Sequence, residues 1–293
     1  MTELSEYFAN LACILPSCDK IKTTSLEEGF SNEAYLIDWG HSARLVLRVP
    51  FIDSDIFYIN RVNEVETLKS AAILGLSPAV LWHDQKGAVA CQFVAQPSLD
   101  WSVAHVDKDI ARIAQALAIS HQDLPITNHQ YAVFDVIEHY LSGIYSYIEN
   151  DAVLLNEYEY LKSIVSQLLQ PNPLLKPALC HNDLNPKNIL MDNEQLWFID
   201  WEYCGVGDPL FDLAVVAKSH NLDERQTMLL LAEYDVDLPF TAALEAISEY
   251  KKAYAVREMA WLLLKHLVTP EDSISLAYYY EFKAMPSLNP FCA

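Results

Sequence analysis

The stretch CHNDLNPKNIL, residues 180–190, crowds a histidine, an acid, a lysine and asparagines together and then turns apolar at Ile189 and Leu190. A second polar stretch, FIDWEYCGVGDPLFDLA (residues 198–214), follows closely. The residues between them read as strand, turn, strand: Ile189 and Leu190, the turn DNEQ at 192–195, then Leu196, Phe198 and Ile199. Such a hairpin sets the loop before its first strand beside the loop after its second. Asp183 lies five residues before Asn188, and Asp200 twelve after it, so all three are expected to converge at one end of the hairpin.

Two carboxylates and an amide oxygen are hard donors, the set that suits Mg²⁺ with water and phosphate in its remaining positions. Asn188 and Asp200, flanking the hairpin, are placed to share the metal. Asp183, further out on its loop, is placed to take the proton of an incoming hydroxyl. Phosphoryl transfer needs these parts: a metal to neutralise phosphates and a carboxylate to orient the nucleophile. The plainer alternative is a pair of loops with satisfied polar groups. H-x-D-x-x-x-x-N followed at these distances by I-D-W-E and D-P-L-F-D-L-A argues against it.

The 293 residues are 52% hydrophobic and 20% charged, enough for two lobes with their own cores. A net charge of −21 opposes nucleic acid and anionic membrane surfaces and mildly favours small cationic ligands. Acidity that serves only solubility is the plainer reading. Cys13, Cys18, Cys91, Cys180, Cys204 and Cys292 form no C-x-x-C pair, which points to a reducing cytosol. The N-terminus, MTELSEYFANLACILP, lacks a basic region and reads as an amphipathic helix, not a signal peptide. No apolar run reaches the length of a membrane span. A cytoplasmic protein without nucleic-acid or membrane partners is expected.

Organisation follows from patterning. IKTTSLEE, EAYLIDW, ARLVLRVP and GAVACQFV are short β-rich runs punctuated by Gly29, Gly40, Pro50 and Gly87. RVNEVETLKSAAILG is helical, with Val62, Val65, Leu68, Ala71 and Ala72 on one face and Gly75 as its stop. Three long helical patterns follow residue 100, and helices run from about 208 to the end. The expected fold is α+β: an antiparallel-sheet N-terminal lobe over residues 1–95 and a larger, mainly helical lobe over 96–293.

HNDLNPKN, IDWEY and GDPLFDLA resemble the aminoglycoside phosphotransferase and choline kinase superfamily, which has the two-lobed protein-kinase-like fold. NRVNEVETLK and IDWEY are similar to its bacterial choline kinase-like and thiamine kinase-like branches. The resemblance spans roughly residues 20–215. It implies ATP and Mg²⁺, with Asp183 as catalytic base and Asn188 and Asp200 as metal ligands. It also implies that His181 buttresses the catalytic loop and that Asp212 anchors it.

In the N-terminal lobe, EEGFSNEAYLI looks like the family's phosphate-covering loop, with Gly29 at its turn and Ser31 and Asn32 near the phosphates. Taken alone it is also an ordinary hairpin turn. Alternation in RLVLRVP puts Leu45, Leu47 and Val49 on one face and Arg44, Val46 and Arg48 on the other. Many relatives hold phosphate with Lys; the choline kinase-like branch is similar to this chain in having Arg, which makes Arg48 the candidate and Glu64 its partner. Arg48 as a surface strand residue stays open. CQFVAQ should carry the adenine-recognising link near Phe93 to Ala95.

Fold and motif fix the reaction class and not the acceptor. Tyr203 matches a residue of the aromatic cage that holds the quaternary ammonium in choline kinases, and Glu202 adds a carboxylate. Asn185 and Trp261 complete the candidate acceptor-side residues, although Trp261 reads equally as core. The family's pair of tryptophans in that region is reduced here to Trp261. Acids after residue 250 are few (Glu258, Glu271, Asp272, Glu281) and aromatics many. The expected acceptor is a small cationic alcohol, choline or ethanolamine, with thiamine or an aminoglycoside as alternatives. A catalytically silent nucleotide-binding regulator is the non-enzyme alternative.

Overall fold

The sheet-forming runs of the first hundred residues build one antiparallel sheet. The computed structural model describes residues 4–15, 21–26, 29–39, 43–148, 151–269 and 272–292. Cys18, the Glu27–Glu28 end of the first expected strand, Gly40 and Glu271 fall outside them, as does the side chain of Cys13. After helix α1 (Leu4–Asn10) come strands β1 (Ile21–Ser25), β2 (Asn32–Trp39) and β3 (Ala43–Pro50), helix α2 (Arg61–Ile73), then β4 (Val80–His83) and β5 (Val89–Gln92). The strands lie in the order β1-β2-β3-β5-β4.

Alternation along β3 works as its sequence demands. Leu45, Leu47 and Val49 are buried with Ile37, Ala90, Leu11 and Leu15 in a small core, and Arg44 and Arg48 project from the other face. Helix α2 corrects the expectation drawn from its apolar residues. Val65, Leu68 and Ala71 are buried, but Val62 is 74% exposed while Arg61, Asn63, Glu64 and Thr67 are buried. Its inner face is partly polar because it turns towards charges of the second lobe. Asn60 caps its first turn through Asn63 N–H at 3.0 Å, and Gly75 beyond it takes φ +73°.

Residues 93–99 run extended out of the sheet and pair with the second lobe, Met191 N–H donating to Pro97 O at 2.9 Å and Leu99 N–H to Ile189 O at 3.0 Å. That lobe comprises helices α3 (Asp107–Asp123), α4 (Val133–Tyr147) and α5 (Ala152–Val165), strands β6 (Ala178–Cys180), β7 (Ile189–Met191), β8 (Leu196–Phe198) and β9 (Gly205–Gly207), and helices α6 (Pro209–Ser219), α7 (Glu224–Tyr234), α8 (Phe240–Val268) and α9 (Ser273–Ala284). The two-lobed α+β, protein-kinase-like fold is as expected. β7 and β8 pair antiparallel with Ile189 opposite Phe198. Strands β4, β6 and β9 were not anticipated; at three or four residues each they offer almost no period to read. Among the described residues, no helix is long and apolar enough to cross a membrane.

α8 is the spine of the second lobe. It packs against α4, α6 and α9, and every residue from Ala253 to Ala260 is buried except Glu258. An apolar helix of this kind gains its stability from packing on all sides. Two polar residues in its buried middle, Arg257 and Glu258, mark where it passes the loop at Asp183.

Candidate active site

The hairpin brings its two flanking loops together. Ile199 N–H donates to Asn188 O at 3.0 Å, which continues the β7–β8 ladder and sets Asp200 beside Asn188. Pro186–Asn188 form one 3-10 turn, opened by Asn185, whose side-chain oxygen accepts from Lys187 N–H at 2.9 Å. From the end of that turn Asn188 Nδ2 donates to Asp183 O at 2.8 Å and to Asp183 Oδ2 at 3.2 Å. Asn185 Nδ2 reaches the same Oδ2 at 3.2 Å. Two non-glycine residues here adopt left-handed backbone, Asn182 at φ +66° and Asp200 at φ +63°. That conformation costs about 1 kcal/mol each, and hydrogen bonds hold the first of them on both sides.

Asp212, at the start of α6 and fully buried, is the anchor of this loop. It accepts from His181 N–H at 2.7 Å, Asn182 N–H at 2.6 Å and His121 Nε2 at 3.0 Å. Burial would raise its pKa, but His121 and the backbone donors outweigh burial and hold it below the usual carboxylate value. His121 is thus part of the anchor, with Tyr234 OH on its other nitrogen at 2.9 Å. His181 Nε2 donates across to Ile199 O at 2.9 Å and ties the loop to the strand end before Asp200. Below the loop, His220 Nε2 donates to Leu184 O at 3.2 Å and its Nδ1 faces His105 Nε2 at 2.8 Å.

The small lobe meets this arrangement through a chain of charges. Arg48 of β3 forms ion pairs with Glu64 of α2 and with Asp200 across the cleft. Glu66, as its helical position requires, points away and pairs with Lys69. Arg61, one turn before Glu64, bridges Glu64 Oε2 at 2.9 Å and Glu202 Oε2 at 3.1 Å. Glu202 in turn accepts from Ser31 Oγ at 2.5 Å and Asn32 Nδ2 at 2.9 Å. Burial raises the Glu202 pKa and Asp200 adds to it, while Arg61, Arg48 and Ser31 oppose. The family resemblance put Ser31 and Asn32 near phosphates, and Glu202 was expected near the acceptor; in the structure these three side chains bond to one another. At Gly29 a Cβ would lie 2.7 Å from the Asn32 carbonyl oxygen, so the turn needs glycine.

The link at 93–95 is tethered by Phe93 N–H to Arg44 O at 3.2 Å, with the Arg44 guanidinium 5.5 Å from the Phe93 ring centre. Ala95 lies in the extended run that follows. On the acceptor side, Trp261 Nε1 donates to Tyr203 OH at 2.7 Å, which brings two of the expected residues together. Trp261 also meets Phe57 at 5.4 Å and Phe30 at 6.2 Å between ring centres.

Arg257 is the residue that sequence reading missed. Nη2 donates to Asp183 Oδ1 at 2.8 Å, and Nη1 to Asn182 O and to Tyr131 OH at 3.0 Å. Its guanidinium lies 5.0 Å from the Tyr254 ring centre and 5.6 Å from that of Tyr203. The available signal was the Arg257–Glu258 pair inside the otherwise largely apolar AYAVREMAWLLL. Burial pushes the Asp183 carboxyl up to about 8; Arg257 opposes, and Glu258 and Asp200 reinforce the rise. The site therefore pairs a carboxylate poised to hold a proton with an amide and a carboxylate fit for a cation.

Residues 22–250 match the family described as the phosphotransferase enzyme family. Protein LicA of Haemophilus influenzae is 28% identical over 70% of this chain and 60% of its own length, and ethanolamine kinase 2 of Mus musculus is 26% identical over 67% of the chain and 52% of its own length. The chain thus spans less than two thirds of these curated relatives. The crystal structure of choline kinase LicA from Streptococcus pneumoniae superposes with a TM-score of 0.76 at 22% identity, covering 97% of this chain and 98% of that one. A choline/ethanolamine kinase family protein from Mesorhizobium loti gives 0.69 at 24% identity, covering 96% and 92%.

Proposed function

The chain belongs to the phosphotransferase enzyme family, and from that premise we propose an ATP- and Mg²⁺-dependent kinase that phosphorylates a short cationic primary alcohol, choline or ethanolamine. The observation that carries this is the meeting of Asp183, Asn188 and Asp200 at one end of the β7–β8 hairpin. Relatives described as a choline kinase and as an ethanolamine kinase support the acceptor class.

The donors fit Mg²⁺. Asn188 has its nitrogen engaged by Asp183, which leaves its amide oxygen as the atom to meet a cation, and Asp200 already draws a cation in Arg48. Magnesium bound by Asn188 and Asp200 supplies charge neutralisation at the phosphates. The Gly29 turn and Arg48 would hold the phosphates of ATP between the lobes. Asp183 orients the acceptor hydroxyl and accepts its proton. Arg257 fixes the carboxylate against α8 and limits how far its pKa rises. In-line transfer then yields a phosphomonoester and ADP.

An ADP-release assay over choline, ethanolamine, thiamine and kanamycin, with Asp183→Ala as blank, tests this reading. Turnover on choline or ethanolamine, absent in the blank, is the expected result. Silence on every alcohol while nucleotide still binds would overturn it in favour of a nucleotide-binding regulator.

A further inference from the structure

The middle of α8 has one side chain that is not buried, and it stands beside Asp183. From Ala253 to Ala260 only Glu258 reaches open space, its side chain 28% exposed. Arg257 Nη2 donates to Asp183 Oδ1 at 2.8 Å and to Glu258 Oε1 at 2.7 Å, and Arg257 Nε reaches the same Glu258 oxygen at 3.0 Å. The two carboxylates therefore stand one guanidinium nitrogen apart. The remaining partners of that guanidinium, Tyr131 OH and Asn182 O, are uncharged. Arg257 brings one positive charge to two carboxyl groups, so with both ionised one negative charge remains beside the proposed phosphoryl acceptor position.

The surroundings select among cations. Trp261 follows Glu258 by three residues and so lies on the same helix face, with its indole nitrogen held by Tyr203 OH. A further turn along, the Lys265 ammonium is buried 5.4 Å from the Phe30 ring centre, 5.7 Å from Phe51 and 5.9 Å from Trp261, and pairs with Asp272 at 2.5 Å. The chain's own lysine thus occupies one aromatic box, and Asp272 neutralises it. Glu202, the other acid near Tyr203, has both oxygens engaged by Ser31, Asn32 and Arg61. Among the described residues, that leaves Glu258, 28% exposed and one guanidinium nitrogen from Asp183, as a carboxylate within reach of a ligand lying against Asp183.

We propose that Glu258 is a specificity-determining residue, which binds the positive charge of an acceptor whose hydroxyl lies on Asp183. The proposal rests on the reading of Asp183 as the acceptor's base. A spacer of two or three atoms between hydroxyl and cation matches two carboxylates that share one nitrogen. Burying a ligand cation beside a carboxylate with surplus charge favours it over a neutral molecule of equal shape.

Equilibrium binding by calorimetry, on the full chain with Mg²⁺ and a non-hydrolysable ATP analogue, tests this without needing turnover. The ligands are choline against its carbon isostere 3,3-dimethylbutan-1-ol, and ethanolamine against propan-1-ol. Wild type should favour each cation over its isostere, and Glu258→Gln should cut that preference by about tenfold or more, equivalent to about 1.4 kcal/mol. Gln keeps an oxygen for Arg257, and Glu258→Asp, which restores the charge, should recover part of the preference. A Glu258→Gln protein that keeps the wild-type preference would overturn the proposal, as would equal loss for cation and isostere, which would make Glu258 only a support for Arg257. Preference lost in Glu258→Gln together with no ADP release from wild type would uphold this assignment and refute the kinase reading alone.

Discussion

Arg48 on the sheet of the small lobe forms an ion pair with Asp200 at the end of the β7–β8 hairpin, 152 residues further along the chain. Its other terminal nitrogen pairs with Glu64, which is fully buried. One planar fork therefore holds a strand, a helix and a proposed metal ligand in fixed relation, and a lysine's single point charge does not reproduce that geometry. Arg48→Lys is expected to raise the KM for ATP by about tenfold and Arg48→Ala by more. Steady-state kinetics at fixed acceptor measure this; an unchanged KM for ATP in Arg48→Ala would remove Arg48 from the nucleotide site.

Asp183→Ala and Asp200→Ala should each lower kcat by about a hundredfold or more while the fold survives. Both carboxylates are partly open to the cleft, 18% and 29% exposed, so their loss leaves no large void. Thermal melting alongside the kinetics separates the two effects. Near-wild-type kcat in either variant would refute the proposed roles.

Glu202 ties the lobes together through Ser31, Asn32 and Arg61. Removing a buried partner strands the others, a loss of about 3–5 kcal/mol. Glu202→Ala should therefore lower stability to urea by that order. Glu66→Ala, on the solvent side of the same network's helix, should stay within about 0.5 kcal/mol. Equal stabilities for the two variants would show that the buried chain of charges does not hold the lobes.

His220 is buried against His105, and burial followed by the neighbouring His105 pushes its pKa from 6.5 down to about 3. Burial lowers His105 as well. The unfolded chain then binds more protons than the native one below pH 6.5, so the contribution is complete above that pH and is lost as pH falls towards 3. Each such group costs up to about 1.4 kcal/mol per pH unit in that window. The melting temperature should fall from pH 7.5 to pH 5, and His220→Asn should lose less over the same range. Parallel curves for wild type and variant would mean that the pair does not carry the acid sensitivity.

Much of this was legible in the linear chain, for reasons that vary with the element. The hairpin at 189–199 could be read because its pairing is local: Ile189 meets Phe198 across a short turn, and the flanking Asn188 and Asp200 come with it. Period-two alternation fixed which face of β3 carries Arg48. α2 misled because its apolar residues sit on more than one side. Val62 is exposed and Arg61 buried, since the inward face of that helix meets Glu202 from the other lobe.

The sequence by itself determined the two-lobed α+β fold, though not the short strands β4, β6 and β9, and it picked out the three residues that meet at the β7–β8 hairpin, because these depend on neighbours a few residues away. Only the tertiary structure decided that Arg257 holds Asp183, that Glu202 closes on Ser31 and Asn32, and that Lys265 sits among Phe30, Phe51 and Trp261. Arg257 and Asp183 are 74 residues apart, Glu202 and Ser31 171, and Lys265 more than 200 from Phe30 and Phe51. No local period records them, and only the packing of α8 against the catalytic loop and the docking of one lobe on the other bring such charges within reach.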